Sequence, residues 1–147
     1  MSFMVSTKGR YALRVMIDLA QHIEELQPLK IIADRQNISL KYMETIMPCL
    51  KEAGFVDGTH GKGGGYRLTR PPQEYTVGEI LRITEGSLAP VACLDSGYVC
   101  ERADTCPTLP VWKKLDSIIT DYLDTVKLTD MIPKNMVQFD ETCYSQL

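Results

Sequence analysis

Four of the five residues from 61 to 65 are glycine, in the run His60-Gly-Lys-Gly-Gly-Gly65. A run of this kind cannot pack a core, so it must sit where the backbone turns or approaches another molecule closely. Phe55-Val56-Asp57-Gly58-Thr59 precedes it and Tyr66-Arg67-Leu68-Thr69 follows it. Both flanks read as short strands, which makes the run a hairpin tip. A glycine-rich loop that cradles a nucleotide phosphate instead leads into a helix and ends in Lys-Ser or Lys-Thr. This one leads into a strand. Nucleotide binding is set aside.

What precedes the hairpin is helical. Ala12, Val15, Met16, Leu19, Ala20 and Ile23 recur at steps of three and four, predicting a helix over 7–23 with one buried face and Ser6 or Thr7 as its cap. Gln27-Pro28 interrupts the pattern, and a short second helix is expected over 30–36 with Ile32 and Ala33 inward. Asn37-Ile38-Ser39 reads as a tight turn, because Asn tolerates the left-handed conformation and Ser39 is a natural N-cap. A third helix over 40–53 then buries Met43, Ile46, Met47 and Leu50, and Gly54 closes it. Pro48 lies inside it and removes one hydrogen bond at a cost of about 3 kcal/mol unless the helix bends, so a kink is expected near 44–48. Two helices joined by a three-residue turn and followed by a glycine-tipped hairpin form the pattern of a winged helix-turn-helix.

Beyond the hairpin, Arg70-Pro71-Pro72 ends the second strand and Thr76 caps a helix reaching about Thr84. Thr108 opens a last long helix whose Val111, Leu115, Ile118, Ile119, Tyr122, Leu123 and Val126 form a wide apolar stripe. The preceding helices already have apolar faces enough to close a core, so a dimer interface is favoured over ordinary core for this stripe. The expected architecture is mainly α with a small β-hairpin wing. It divides into a DNA-binding module over 1–86, a sensor loop over 87–107, a dimerisation helix over 108–132 and a flexible tail over 133–147.

The sensor loop is so termed for its cysteines. Cys93, Cys100 and Cys106 fall at the spacing C-x6-C-x5-C in a polar stretch without helical period. No run approaches the ~18 apolar residues of a membrane span, and Lys8, Arg10, Arg14 and Asp18 would not be tolerated in a secretory signal, so a cytoplasmic home is expected. There, clustered thiols point to metal binding or redox chemistry rather than to a disulfide framework, and the count of five leaves one unpaired. Three readings compete: an iron–sulfur cluster, a metal-free thiol–disulfide switch, and zinc, which usually takes closer cysteine pairs. Cys49, between Ile46 and Leu50, is read as a small buried hydrophobe, and His22 and His60 as too isolated for a metal. No Ser/His/Asp, Cys/His or paired-carboxylate set converges, so an enzyme is not expected.

Charge separates along the chain. Residues 1–70 hold ten Lys and Arg against seven Asp and Glu, a net of +3, whereas 71–147 hold six against twelve, a net of −6. A basic reader joined to an acidic partner half suits double-stranded DNA as the ligand. On the third helix Ser39 and Tyr42 can donate to phosphates, Lys41 adds charge, Glu44 can accept from a cytosine amino group, and Thr45 shares their exposed face. His60 and Lys62 at the hairpin tip, with Arg67 behind, should reach the minor groove or its phosphates.

Several stretches resemble the winged-helix regulators of the IscR and NsrR type. They are Ser6-Thr-Lys-Gly-Arg-Tyr-Ala-Leu13, Ile38-Ser-Leu-Lys-Tyr-Met-Glu44, Gly61-Lys-Gly-Gly-Gly-Tyr66, Val77-Gly-Glu-Ile80 and Trp112. The resemblance covers nearly everything from residue 4 to about 132. It implies a homodimeric transcriptional regulator, read here as a repressor, bound to a DNA operator and responsive to iron–sulfur status, redox state or nitric oxide. It implies further that Glu44 helps choose between classes of DNA site. Cys93, Cys100 and Cys106 would hold an iron–sulfur cluster, a 2Fe-2S form being favoured over 4Fe-4S. Here the chain departs from the family. IscR-type proteins place a His where this chain has Leu109, and NsrR-type proteins place a carboxylate where it has Arg10. The fourth ligand is left to Asp95, Glu101, Asp104, Cys143 or a group from the other subunit. The alternative is a cluster-free member acting as a thiol-redox, small-molecule or partner-protein-responsive repressor.

Overall fold

The computed structural model describes residues 5–95, 97 and 100–133 of the 147-residue chain. Helix α1 (Thr7–Gln21) starts where Ser6 accepts a hydrogen bond on Oγ from Gly9 N–H, 3.1 Å away, and buries Ala12, Val15, Met16, Leu19 and Ala20. It ends two residues before Ile23, which is half exposed at 53%. His22 leaves helical geometry there, and its Nδ1 lies 2.7 Å from the Asp18 carbonyl, satisfying an acceptor the helix end would otherwise leave open. Helix α2 (Leu29–Gln36) closes on Asn37 in the left-handed conformation, at φ 52° and ψ 46°, and Ser39 caps α3 (Leu40–Glu52) through a 3.1 Å bond from Tyr42 N–H. The turn chemistry read from Asn37-Ile38-Ser39 is thus what the backbone does. Helix α3 runs unbroken through Pro48, which is exposed, as is Glu44, the residue whose carbonyl loses its donor there.

The hairpin consists of antiparallel strands β1 (Val56–Thr59) and β2 (Gly65–Leu68), in register Val56 to Leu68 and Thr59 to Gly65. Its inner edge does not end at β2. Gln27, just before α2, exchanges both backbone bonds with Tyr66: its N–H donates to Tyr66 O at 2.9 Å and its carbonyl accepts from Tyr66 N–H at 2.8 Å. The residue that reads as a helix interruption is a third, one-residue strand of the wing. At the other end Tyr75, fully buried, donates its hydroxyl to Phe55 O (2.8 Å) and accepts from the amides of Thr69 and Arg70 (3.1 and 3.0 Å). One phenol therefore pins both strand ends of the wing to the core.

Helix α4 (Val77–Glu85) has a full capping box, Thr76 with Glu79, and stops at Gly86. Helix α5 (Leu109–Thr125) lies against α4 and buries no residue fully. After α5 the chain turns back. Val77 N–H donates to Val126 O (2.9 Å), Leu128 N–H donates to Tyr75 O (2.9 Å), and the Leu128 side chain is fully buried in the core formed by Met16, Ile32, Met43, Ile46, Leu50 and Ile80. Leu128, in the segment expected to end the dimerisation helix, is a core residue of the reader, and Met131 and Ile132 pack against that core. The tail beyond 133 lies outside the described residues. Among the described residues no helix is long and apolar enough to cross a membrane.

Where α5 crosses α4, Arg82 donates from both Nη atoms to Asp124, at 2.7 and 2.9 Å. The Arg82 guanidinium holds the Asp124 carboxyl below its usual pKa. A carboxyl lowered in the folded state stabilises above its unfolded pKa of about 3.9 and loses that contribution as pH falls through the folded value. The pair is well exposed, so solvent screening keeps its worth below about 1 kcal/mol. Urea unfolding of Asp124→Asn beside the parent chain should show a stability gap at pH 7 that closes on acidification past the carboxylate range. A gap independent of pH would contradict this account of the crossing.

Candidate nucleic-acid interface and cysteine loop

The exposed side of α3 carries the residues read as DNA-facing. Ser39, Lys41, Glu44 and Thr45 are exposed, and Tyr42 is half buried. Ser39 caps the helix and the other four lie within its first two turns, while Met43, Ile46, Met47 and Leu50 hold the opposite side against the core. The Ser39 hydroxyl oxygen is engaged in the cap, which leaves its O–H free to donate. Tyr42 packs edge-on against Tyr11 of α1, with centroids 5.5 Å apart. On the wing His60 and Lys62 are exposed at the tip. Arg67 points outward from β2, 60% exposed and 4.0 Å from Asp57, a pairing loose enough to surrender to a phosphate.

Four residues outside this set hold the reader together. Asp18 is 1% exposed, yet accepts from Arg35 Nε (3.0 Å), Arg35 Nη2 (2.6 Å) and Gln36 Nε2 (2.9 Å). Arg35 Nη2 also donates to Gln27 Oε1 at 2.7 Å. The wing edge at Gln27 is thereby wired to α1 and α2. Local pattern does not announce this: Asp18 falls four residues after Arg14 and seven after Tyr11, on the polar side of α1, and it is buried by partners from α2.

Cys93, Cys100 and Cys106 line one cavity of about 290 Å³, whose wall is completed by Leu94, Leu109 and Trp112. Cys93 is exposed, the other two are half buried, and all three are free thiols. Cys106 lies 3.3 Å from the Thr108 hydroxyl. That hydroxyl, joined by the amides of Thr108 and Leu109 at the start of α5, lowers the Cys106 pKa and favours thiolate. Three sulfurs facing one partly apolar space suit a thiophilic group in donor type. Among the described residues, however, no three His, Cys, Asp or Glu side chains close into a shell around a metal position.

None of the described candidates for the fourth donor stands on the cavity wall. Leu109 contributes apolar wall, and Arg10 stands on α1 with its Nη2 bonded to Thr7 Oγ1 at 3.2 Å. Asp95, Glu101 and Asp104 are not among the cavity-lining residues, and Cys143 lies outside the described residues. Cys49, read as a buried hydrophobe, is half buried, with its thiol donating across to Ile83 O of α4 at 3.5 Å.

Residues 5–134 match the family model Rrf2, described as an iron-dependent transcriptional regulator. The HTH-type transcriptional regulator IscR of Aliivibrio salmonicida is 37% identical over 135 residues, covering 91% of this chain and 80% of that one. Among solved structures, CymR, the global cysteine regulator of B. subtilis, superposes with a TM-score of 0.72 at 36% identity, covering 87% of this chain and 95% of its own. IscR of T. potens superposes with a TM-score of 0.71 at 34% identity, covering 96% of each chain.

Proposed function

The chain belongs to the Rrf2 family of winged-helix, DNA-binding transcription regulators, which are not enzymes, and from that premise we propose that it is a homodimeric repressor whose grip on its operator is set by an iron–sulfur cluster at Cys93, Cys100 and Cys106. The observation carrying this reading is the common cavity of the three thiols at the foot of α5. A cluster bound there would supply an iron- and redox-responsive crosslink between points of the loop that are otherwise free. A 2Fe-2S form suits three cysteines and one further donor. That donor is Asp95, Glu101, Asp104, Cys143 or a group of the other subunit.

The chain's own residues supply the route to DNA. Cys93 follows the end of α4 and Cys106 precedes α5 by three residues, so drawing the two thiols together sets how α5 leaves α4. The end of α4 is tied to the start of α1: Glu85 accepts from Ser6 N–H at 3.0 Å and from Ser6 Oγ at 2.6 Å. Helix α5 presents Val111, Ile118 and Tyr122 to solvent, 59%, 53% and 66% exposed, a face that suits a second copy of the chain. Tilting two such helices against each other changes the spacing of the two α3 helices, and with it the fit to successive major grooves. Ser39, Lys41, Tyr42, Glu44 and Thr45 read the major groove, while His60, Lys62 and Arg67 hold the wing on the flanking backbone.

Anaerobic purification followed by visible absorption and native mass spectrometry tests the cluster. Expected is a coloured protein with an iron- and sulfide-containing adduct, lost when Cys93, Cys100 and Cys106 are replaced by Ala. A colourless, iron-free protein would favour the second reading, a cluster-free regulator answering to thiol redox state or a small molecule. That reading draws on the thiolate-favouring surroundings of Cys106 and on the likeness to CymR.

A further inference from the structure

Helix α1 carries a second polar stripe, opposite its buried face, formed by Thr7, Arg10, Tyr11 and Arg14 at steps of three and four. Arg10 and Arg14 are exposed, and among the described residues no acidic side chain is bonded to either. The stripe is joined to the recognition helix. Arg14 lies over the Tyr11 ring at 5.3 Å, and Tyr11 meets Tyr42 of α3 edge-on at 5.5 Å. Arg14 also donates from Nε to Gln36 Oε1 (3.3 Å) and from Nη2 to the Gln36 carbonyl, at the turn that leads into Ser39. Its guanidinium is thus held in place beside the first turn of α3, with Nη1 making no hydrogen bond within the described protein. Among the described residues Arg10 uses Nη2 alone, on Thr7.

We infer that Arg10 and Arg14 form a phosphate clamp on one DNA strand bordering the groove that α3 enters, with Tyr11 as the platform that keeps the clamp in register with Tyr42. The geometry of the stripe carries this: a fixed, planar, five-donor cation with donors left over is what backbone-positioning contacts use, and Arg14 is such a cation beside α3, with Arg10 exposed one turn before it. The inference rests on the DNA-reading function above and extends it from α3 and the wing onto α1.

The test uses the full-length chain and a duplex it selects from a random-sequence pool, with affinity measured by fluorescence anisotropy across a salt series. Each phosphate contact contributes about 0.9 to the slope of log affinity against log salt. Arg10→Gln and Arg14→Gln should each lower that slope by about one and weaken binding several-fold, equally for the selected and for scrambled duplexes. Arg14→Lys should keep most of the slope, since it keeps the charge, whereas a purely structural role through Gln36 would not be rescued by Lys. Lys114→Gln on α5 should leave the slope unchanged. Full slopes in both Gln variants would overturn the clamp while leaving the DNA-reading function intact, and so would an Arg14→Lys slope as low as that of Arg14→Gln. A parent chain that binds no duplex at all would sink both.

Discussion

Asp18→Asn is expected to cost about 3 kcal/mol of unfolding free energy, near the low end of the range for breaking a buried ion pair. The carboxylate is 1% exposed and accepts three hydrogen bonds, two of them from the Arg35 guanidinium. An amide in its place turns an N–H₂ toward donors and leaves a guanidinium without its counter-charge. Arg35 retains 31% exposure, so water relieves part of the loss and places the effect low in the range. With slopes of about 1–3 kcal/mol per molar, the urea midpoint should fall by on the order of 1 M or more. The damage should also spread to the wing, because Arg35 holds Gln27 and Gln27 pairs with Tyr66. Faster hydrogen exchange at the Tyr66 amide would report that spread. A double variant, Asp18→Leu with Arg35→Met, should be less destabilised than Asp18→Asn alone, since it removes the buried charge together with its partner.

Gly65→Ala should detach the wing from Gln27. A Cβ at Gly65 would lie 2.6 Å from the Gln27 carbonyl carbon, 2.7 Å from its oxygen and 2.9 Å from its nitrogen. These are backbone atoms held by two hydrogen bonds to Tyr66, so no side chain can swing aside to make room. Overpacking of this kind costs about 1–3 kcal/mol, and here the cheapest escape is to open the Gln27–Tyr66 bridge. Gly63→Ala is the matched control. Gly63 sits at φ +80° with nothing near its Cβ position, so Ala there meets backbone strain of about 1–2 kcal/mol and no clash. The two variants should therefore separate by exchange at Tyr66: fast in Gly65→Ala, parental in Gly63→Ala. Equal protection in both would contradict a wing anchored at Gln27.

The parts of the reader visible in the sequence are those fixed by neighbours along the chain. Ser39 as a cap, Asn37 in a left-handed turn, the period of Met43, Ile46, Met47 and Leu50, and the glycine tip are each local rules of backbone geometry. Gln27 as a wing strand, Leu128 as a core residue and Asp18 as a buried anchor depend on contacts between distant segments, which local rules do not reach. Ile23 shows the same limit in reverse. It continues the apolar period of α1, but His22 turns back onto Asp18 and ends the helix first. For the loop, the spacing of Cys93, Cys100 and Cys106 announced thiol chemistry. It took the fold to show that α5 supplies the cavity wall through Leu109 and Trp112 and the hydroxyl beside Cys106 through Thr108. The fourth donor stayed illegible for a physical reason: Leu109 and Arg10 have neither a lone pair to offer nor a charge to suit.

The central claim is that occupancy of the cysteine site is coupled to the reading of DNA. Its most direct measurement is the affinity for one selected duplex, at fixed salt and without oxygen, of the parent chain as purified and of the variant with Cys93, Cys100 and Cys106 changed to Ala. A coupling of about 1–3 kcal/mol predicts affinities that differ by roughly 5- to 150-fold. Identical affinities for two equally well-folded proteins would contradict the claim.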